Sequence, residues 1–223
     1  MNANPNKKSI NAPLAVAVIG GGFGRGHIAG FLADPDRFYL KGFCDRDPAV
    51  VEFIQKNYSL PNSCRICSDY QEILNDPAID AVAVSLPHYL HETACVQAAR
   101  MGKHILVDKP IARTLAEADH ILEAVEKNNV TLMVAFNMRF WPPYQKMHDM
   151  ISSDAIGRPI YAMTWHNQNF NPPAGANWRS KNSVGGGCVI GSGVHNIDLM
   201  RWFFGEPAEV FAYGTTDPQR LEA

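Results

Sequence analysis

Lys109 stands where a short apolar run, Ile105-Leu106-Val107, gives way to Asp108-Lys109-Pro110. A charge emerging at the carboxyl end of a buried strand is placed to meet a ligand, because open α/β sheets bind in the crevice beyond those ends. There an ammonium can stand beside an alcohol or ketone oxygen and bias the pKa of a neighbouring acid or base. Two other polar clusters follow apolar runs in the same way: Ser85-Leu86-Pro87-His88, with His91 close behind, and Asn137-Met138-Arg139. In a doubly wound sheet all three ends share one edge, so groups distant in sequence are expected to converge.

The same edge should carry the turn Gly20-Gly21-Gly22-Phe23-Gly24-Arg25-Gly26, which follows the apolar run Leu14–Ile19. Gly20 and Gly22 match the first two glycines of a dinucleotide-binding fingerprint, the first for a tight turn and the second for close approach of backbone to pyrophosphate. The third position falls on Arg25, flanked by Gly24 and Gly26. Either the turn is shortened, with Arg25 near phosphate, or the helix sits more loosely on its strand. Asp45 follows Gly20 by 25 positions, where a carboxylate can accept hydrogen bonds from ribose hydroxyls. Its neighbour Arg46 could instead pair with a 2′-phosphate, which leaves NAD and NADP both open.

These groups need a scaffold, and the hydrophobic pattern supplies one. Strands are expected at Leu14–Ile19, Phe38–Cys44, Ile66–Cys67, Ala81–Val84, Ile105–Val107 and Thr131–Phe136. Helices are expected after the glycine turn toward Leu32, over Pro48–Asn57 opened by proline, at Tyr70–Leu74, over His88–Met101 until Gly102 stops it, and from a Thr114/Glu117 capping box to Asn129. Apolar strands separated by helices mean a parallel sheet covered on both faces. The expected architecture is α/β, a doubly wound Rossmann sheet over 13–138 after a flexible 1–12. A partial α+β domain follows over 139–223, with helices at Tyr144–Ile151 and Val194–Phe204 and strands at Ile160–Asn167 and Val210–Thr215. Two strands are too few for a closed second sheet, so the sequence is expected to stop inside that domain or to need a partner.

Composition narrows the function classes. Of 223 residues, 46% are hydrophobic and the formal charge is -2, without the basic stripe that nucleic-acid binding needs. No apolar run approaches a membrane span, and Met1–Ala12 lacks the apolar segment of a signal peptide, so a cytoplasmic location is expected. Cys64 and Cys67 have thioredoxin-like spacing but no second pair, and are read as small buried thiols. The scattered histidines His27, His104, His120, His148 and His166 form no ligand set, so no metal is expected.

The ordered series Gly20-Gly21-Gly22, Cys44-Asp45, Ile79-Asp80-Ala81-Val82, Pro87-His88 with His91, Gly102-Lys103-His104, Asp108-Lys109-Pro110 and Asn137 with Arg139-Phe140 resembles the Gfo/Idh/MocA oxidoreductase family. The likeness continues through Trp178-Arg179, Gly185-Gly186-Gly187, His195, Asp198 and Gly205. The resemblance implies hydride transfer between NAD or NADP and a sugar, inositol or related polyol. It also implies an open second sheet that serves homo-oligomer contacts. It assigns catalysis to Lys109, His195 and Asp198, with His195 taking a hydroxyl proton while Lys109 steadies the oxygen. It gives cofactor contacts to Gly20, Gly22, Phe23, Gly24, Arg25, Asp45, Arg46, Ser85, Pro87, His88, His91, Asp108, Lys109 and Asn137. Substrate contacts fall to Lys109, Arg139, Trp178, Arg179 and His195.

Two positions depart from the family pattern. Asp108 replaces the usual Glu, and Gly191 stands where many polyol-oxidising relatives carry Asp. A cofactor-retaining sugar–sugar oxidoreductase, a lyase of the same family, and a non-catalytic nucleotide-binding sensor or inactive truncated fragment remain alternative readings.

Overall fold

In the computed structural model, residues 12–167 and 189–214 are described. They fall into two units. The first comprises the described residues up to Leu86 with Leu90–Asp108 and Ala116–Met133, and the second comprises Pro87–Tyr89, Lys109–Leu115 and the described residues from Val134 onward.

The sheet consists of β1 (Leu14–Ile19), β2 (Phe38–Cys44), β3 (Arg65–Cys67), β4 (Ala81–Val84), β5 (His104–Asp108) and β6 (Leu132–Ala135). Its spatial order is β3-β2-β1-β4-β5-β6, and the pairings of β1 with β2 and β4, of β2 with β3 and of β4 with β5 are parallel. Between β1 and β4 the winding reverses, which creates the switch point where doubly wound sheets bind ligands. Linking the strands are α1 (Arg25–Ala33), α2 (Pro48–Asn57), α3 (Gln71–Leu74), α4 (His91–Arg100) and α5 (Leu115–Lys127).

Alternation along β1 explains why both sheet faces are dry. Val16 and Val18 join Ile28, Leu40, Phe43, Ile54 and Ala83 in one core cluster, while Ala17 and Ile19, also buried, point the other way. Gly42 lets α3 approach that second face: a Cβ there would lie 2.6 Å from Ile73 Cδ1 and 3.1 Å from Ala17 Cβ. Polar residues fasten the sheet at its amino end. Asp80 accepts from the Ala15 amide at 2.8 Å. Buried Lys103 donates to the carbonyls of Asp76 (2.6 Å) and Ile79 (2.8 Å), and burial lowers its pKa.

The second unit is helical where it is described. A 3-10 turn (Asn137–Phe140) leads into α6 (Pro142–Ser152), and a π turn (Val189–Gly193) leads into α7 (Val194–Phe204). Aromatic side chains join α6 to α7: Trp202 stacks on His148 with centroids 4.2 Å apart, and Tyr144 meets Phe203 at 6.4 Å.

Three expectations from the pattern are corrected. Residues 160–167 and 210–214 form no strand; Ile160 is 96% exposed and Phe211 92%. A strand exists only when a neighbour takes its backbone hydrogen bonds, and among the described residues neither segment has one. The single helix expected from His88 begins instead as a 3-10 turn, His88–Leu90, before α4. Among the described residues no helix is long and apolar enough to cross a membrane.

Candidate functional site

The glycine turn closes more tightly than the fingerprint spacing implies. Gly20 has φ +94°, and a Cβ on it would sit 2.4 Å from the Ser85 carbonyl oxygen, so only glycine fits. At Gly24 a Cβ would come within 2.0 Å of the Gly20 carbonyl oxygen and 2.8 Å of Val18 Cγ1. Close helix–strand contact, the task of the third fingerprint glycine, therefore falls to Gly24, one position early. The shortened turn is the observed arrangement. Gly22 has nothing within 4 Å of a built Cβ and leaves its backbone open to a ligand. Exposed Arg25 opens α1, whose first amides have no side-chain cap, and Phe23 is 72% exposed beside it.

Gly24→Ala tests that geometry. The backbone at Gly24 is ordinary right-handed helix, so the cost is collision alone, about 1–3 kcal/mol. Urea unfolding should register that loss, and nucleotide affinity should fall about tenfold as the turn opens. An unchanged midpoint would show that the turn yields freely.

Asp45 braces the same turn. Its Oδ2 accepts from the Gly21 amide at 2.6 Å and its Oδ1 from the Asp47 amide at 2.9 Å. With Arg46 it lines an open depression of about 570 Å³, whose walls include Val51, Ile66, Cys67 and Glu72. The tight turn, the bare Gly22 backbone and a carboxylate beside a depression suit a dinucleotide.

Asp108 ends β5 inside a small network of the first unit. The Ser85 hydroxyl donates to its Oδ2 at 2.6 Å, and a hydrogen bond of 2.8 Å links its Oδ1 to His27 Nε2. Burial raises the Asp108 pKa, but the hydrogen bonds from His27 and Ser85 outweigh it and hold the carboxyl below its ordinary value. His91, expected either to touch cofactor or to satisfy local backbone, makes a local bond. The ring is 0% exposed, with Nε2 2.8 Å from the Leu86 carbonyl oxygen, so it fixes the chain after β4.

The second unit holds the other groups. Lys109 Nζ donates to the Gly191 carbonyl at 2.5 Å. Among the described residues a Cβ on Gly191 would meet His88 Cε1, at 3.8 Å, and His88 is itself buried. His195 lies in the first turn of α7, its ring edge toward Phe136 with centroids 6.2 Å apart. Its Nδ1 is buried and has no hydrogen-bond partner among the described residues. Burial first and the Lys109 charge second push its pKa down to about 4, with Asp198 pulling the other way and His166 adding to the fall.

Asp198 and Arg139, both singled out from the sequence, meet in this unit. Asp198, 7% exposed, receives Arg139 as a bidentate partner: Nε to Oδ2 at 2.8 Å and Nη2 to Oδ1 at 2.6 Å. Arg139 also lies over the Trp202 ring, 5.6 Å from its centroid. The pair ties the 3-10 turn before α6 to α7. Asn137 is exposed at the start of its 3-10 turn, and Pro87 is half-buried. Trp178, Arg179 and the glycine triplet at 185–187 lie outside the described residues.

Sequence reasoning missed His27, Phe136 and the carbonyl of Gly191. The position of His27 in the first turn after the glycines was the available signal, but it was weighed only as a metal ligand. Among the described residues no cluster of histidine, cysteine or carboxylate side chains could hold a metal.

Comparison with known proteins places this geometry among relatives. Residues 14–136 match the model of an oxidoreductase family with an NAD-binding Rossmann fold, and residues 144–222 match a GFO/IDH/MocA C-terminal domain. Levoglucosan dehydrogenase of Pseudarthrobacter phenanthrenivorans is 32% identical over 217 residues, covering 91% of this chain and 54% of its own. The scyllo-inositol 2-dehydrogenase (NAD(+)) of Bacillus subtilis is 34% identical over 137 residues, covering 61% and 39%. Among solved structures, a levoglucosan dehydrogenase in complex with NADH and levoglucosan superposes with a TM-score of 0.75 at 31% identity, over 87% of this chain and 55% of that one. The chain spans about half the length of the curated relatives it matches.

Proposed function

The chain belongs to the GFO/IDH/MocA oxidoreductase family, and on that premise we propose that it binds NAD at its glycine turn and oxidises or reduces a hydroxyl-bearing carbon of a sugar, inositol or related polyol. The observation that carries the reading is the Lys109 ammonium anchored on Gly191, in the same unit as an imidazole held neutral. The nicotinamide, when bound, supplies the hydride acceptor or donor.

The remaining steps belong to side chains of the chain itself. In the oxidising direction His195 accepts the hydroxyl proton, which it can do only while neutral, so activity should decline as pH falls through about 4. Lys109 offsets the negative charge that grows on the substrate oxygen. Ser85 and His27 orient Asp108 immediately before Lys109 in the chain. Gly20, Gly22 and Gly24 admit the pyrophosphate, with Phe23 and Arg25 at the mouth of the turn. The fixed carboxylate of Asp45 favours NAD, since a 2′-phosphate would meet its charge; Arg46 works against this preference. The second domain begins near 139. A cytoplasmic location and association between copies through the exposed apolar segments at 160–165 and 210–213 complete the reading.

The test is to titrate the protein with NADH and NADPH, then follow reduced-nicotinamide absorbance with levoglucosan, scyllo-inositol and 1,5-anhydro-D-fructose. NADH should bind more tightly than NADPH, and at least one ring polyol should turn over. Failure to bind either nucleotide would end the proposal.

A further inference from the structure

Position 191 separates this chain from a site with a carboxylate there, and four observations in the second unit bear on what glycine does instead. Its carbonyl accepts the Lys109 ammonium at 2.5 Å. Among the described residues, the place a side chain would fill meets His88 Cε1 at 3.8 Å. Gly191 precedes His195 by four positions across the π turn and the start of α7, so the two lie near one face of the helical path. His195 keeps a buried Nδ1 that has no hydrogen-bond partner among the described residues. The titratable groups acting on its ring are Lys109, Asp198 and His166, and Asp198 already answers Arg139. His88 completes the set on the Gly191 side.

We propose that Gly191 is a positioning residue: its main-chain carbonyl anchors Lys109, and its lack of a side chain keeps the Lys109 charge acting on His195 without an intervening carboxylate. This rests on the functional reading above and deepens it. A carboxylate at 191 would give Lys109 a charged partner beside the carbonyl it already meets. It would also place negative charge beside the imidazole, and His195 would then hold a proton at pH values where it is now neutral. The glycine thus trades a charged relay for a base that stays free far into the acid range.

The experiment is an NMR titration of the histidine side chains in the protein and in Gly191→Asp, with Gly191→Asn as an uncharged control of similar size. Gly191→Asp should raise the His195 midpoint by at least about one pH unit, within the range for an opposite charge a few ångströms away. Gly191→Asn should leave it within about 0.3 unit of the parent. Lys109→Met should also raise the midpoint, by removing the like charge, and this arm stands even if Gly191→Asp does not fold. The proposal is overturned if the Asp variant leaves His195 unmoved, if the Asn variant shifts it equally, or if Lys109→Met has no effect. None of these readings needs a substrate. A protein that binds no nucleotide but shows the expected shifts would refute the oxidoreductase reading and keep this one. Where turnover is found, the acid limb of its pH profile should move upward with the midpoint in Gly191→Asp.

Discussion

Lys109→Ala should lower turnover by about 10²–10³-fold, the usual cost of removing one group that stabilises charge on a reacting oxygen. A short bond to the Gly191 carbonyl positions the ammonium before substrate arrives. Removing it takes away an interaction that strengthens as the oxygen becomes negative. The loss should therefore appear in kcat more than in KM. Nucleotide affinity should change by less than about threefold, because the glycine turn, Asp45 and the Ser85–Asp108–His27 network all belong to the first unit. Lys109→Arg should recover little, since a planar fork does not reproduce a point charge at that distance. Steady-state kinetics beside NADH titration would decide the matter. A variant with full kcat would remove Lys109 from the chemistry.

Arg139→Ala should destabilise the fold by about 3 kcal/mol, the lower end for breaking a buried pair. The lower end applies because the Arg139 side chain is 38% exposed, whereas that of Asp198 is 8% exposed. Without the guanidinium, Asp198 would keep a buried charge with no bidentate partner, and Trp202 would lose the cation above its ring. Urea unfolding at neutral pH measures the loss. Arg139→Ala combined with Asp198→Asn should restore part of the loss, and if the single variant is as stable as the parent, the pair contributes nothing.

The sheet was legible because its signal is local. LAVAVI and AVAV are long enough and apolar enough to be read as buried strands at sight, and Pro48 and Gly102 mark helix limits by backbone chemistry alone. Ile160–Asn167 misled for a related reason. Its β-prone residues state a preference, and preference becomes a strand only when a second chain segment takes the hydrogen bonds. Among site residues, Lys109 and the glycine turn stood out through their places at strand ends. The commitments of Asp198 to Arg139 and of His91 to Leu86 did not, because partners 59 and 5 positions away cannot be told apart from substrate or cofactor by residue type. The anchor of Lys109 was the least legible of all, since a main-chain carbonyl leaves no trace in the alphabet.

Asp45 answers to two amides of its own chain at the spot where a carboxylate would greet a ribose. Nucleotide preference and loop shape are consequently one variable here. Anyone seeking to convert this protein to the phosphorylated nucleotide by replacing Asp45 would also be cutting the strut under Gly21. The more promising route would leave that carboxylate alone and work outward, through Arg46 and the acidic neighbours Glu52 and Glu72 that share its depression.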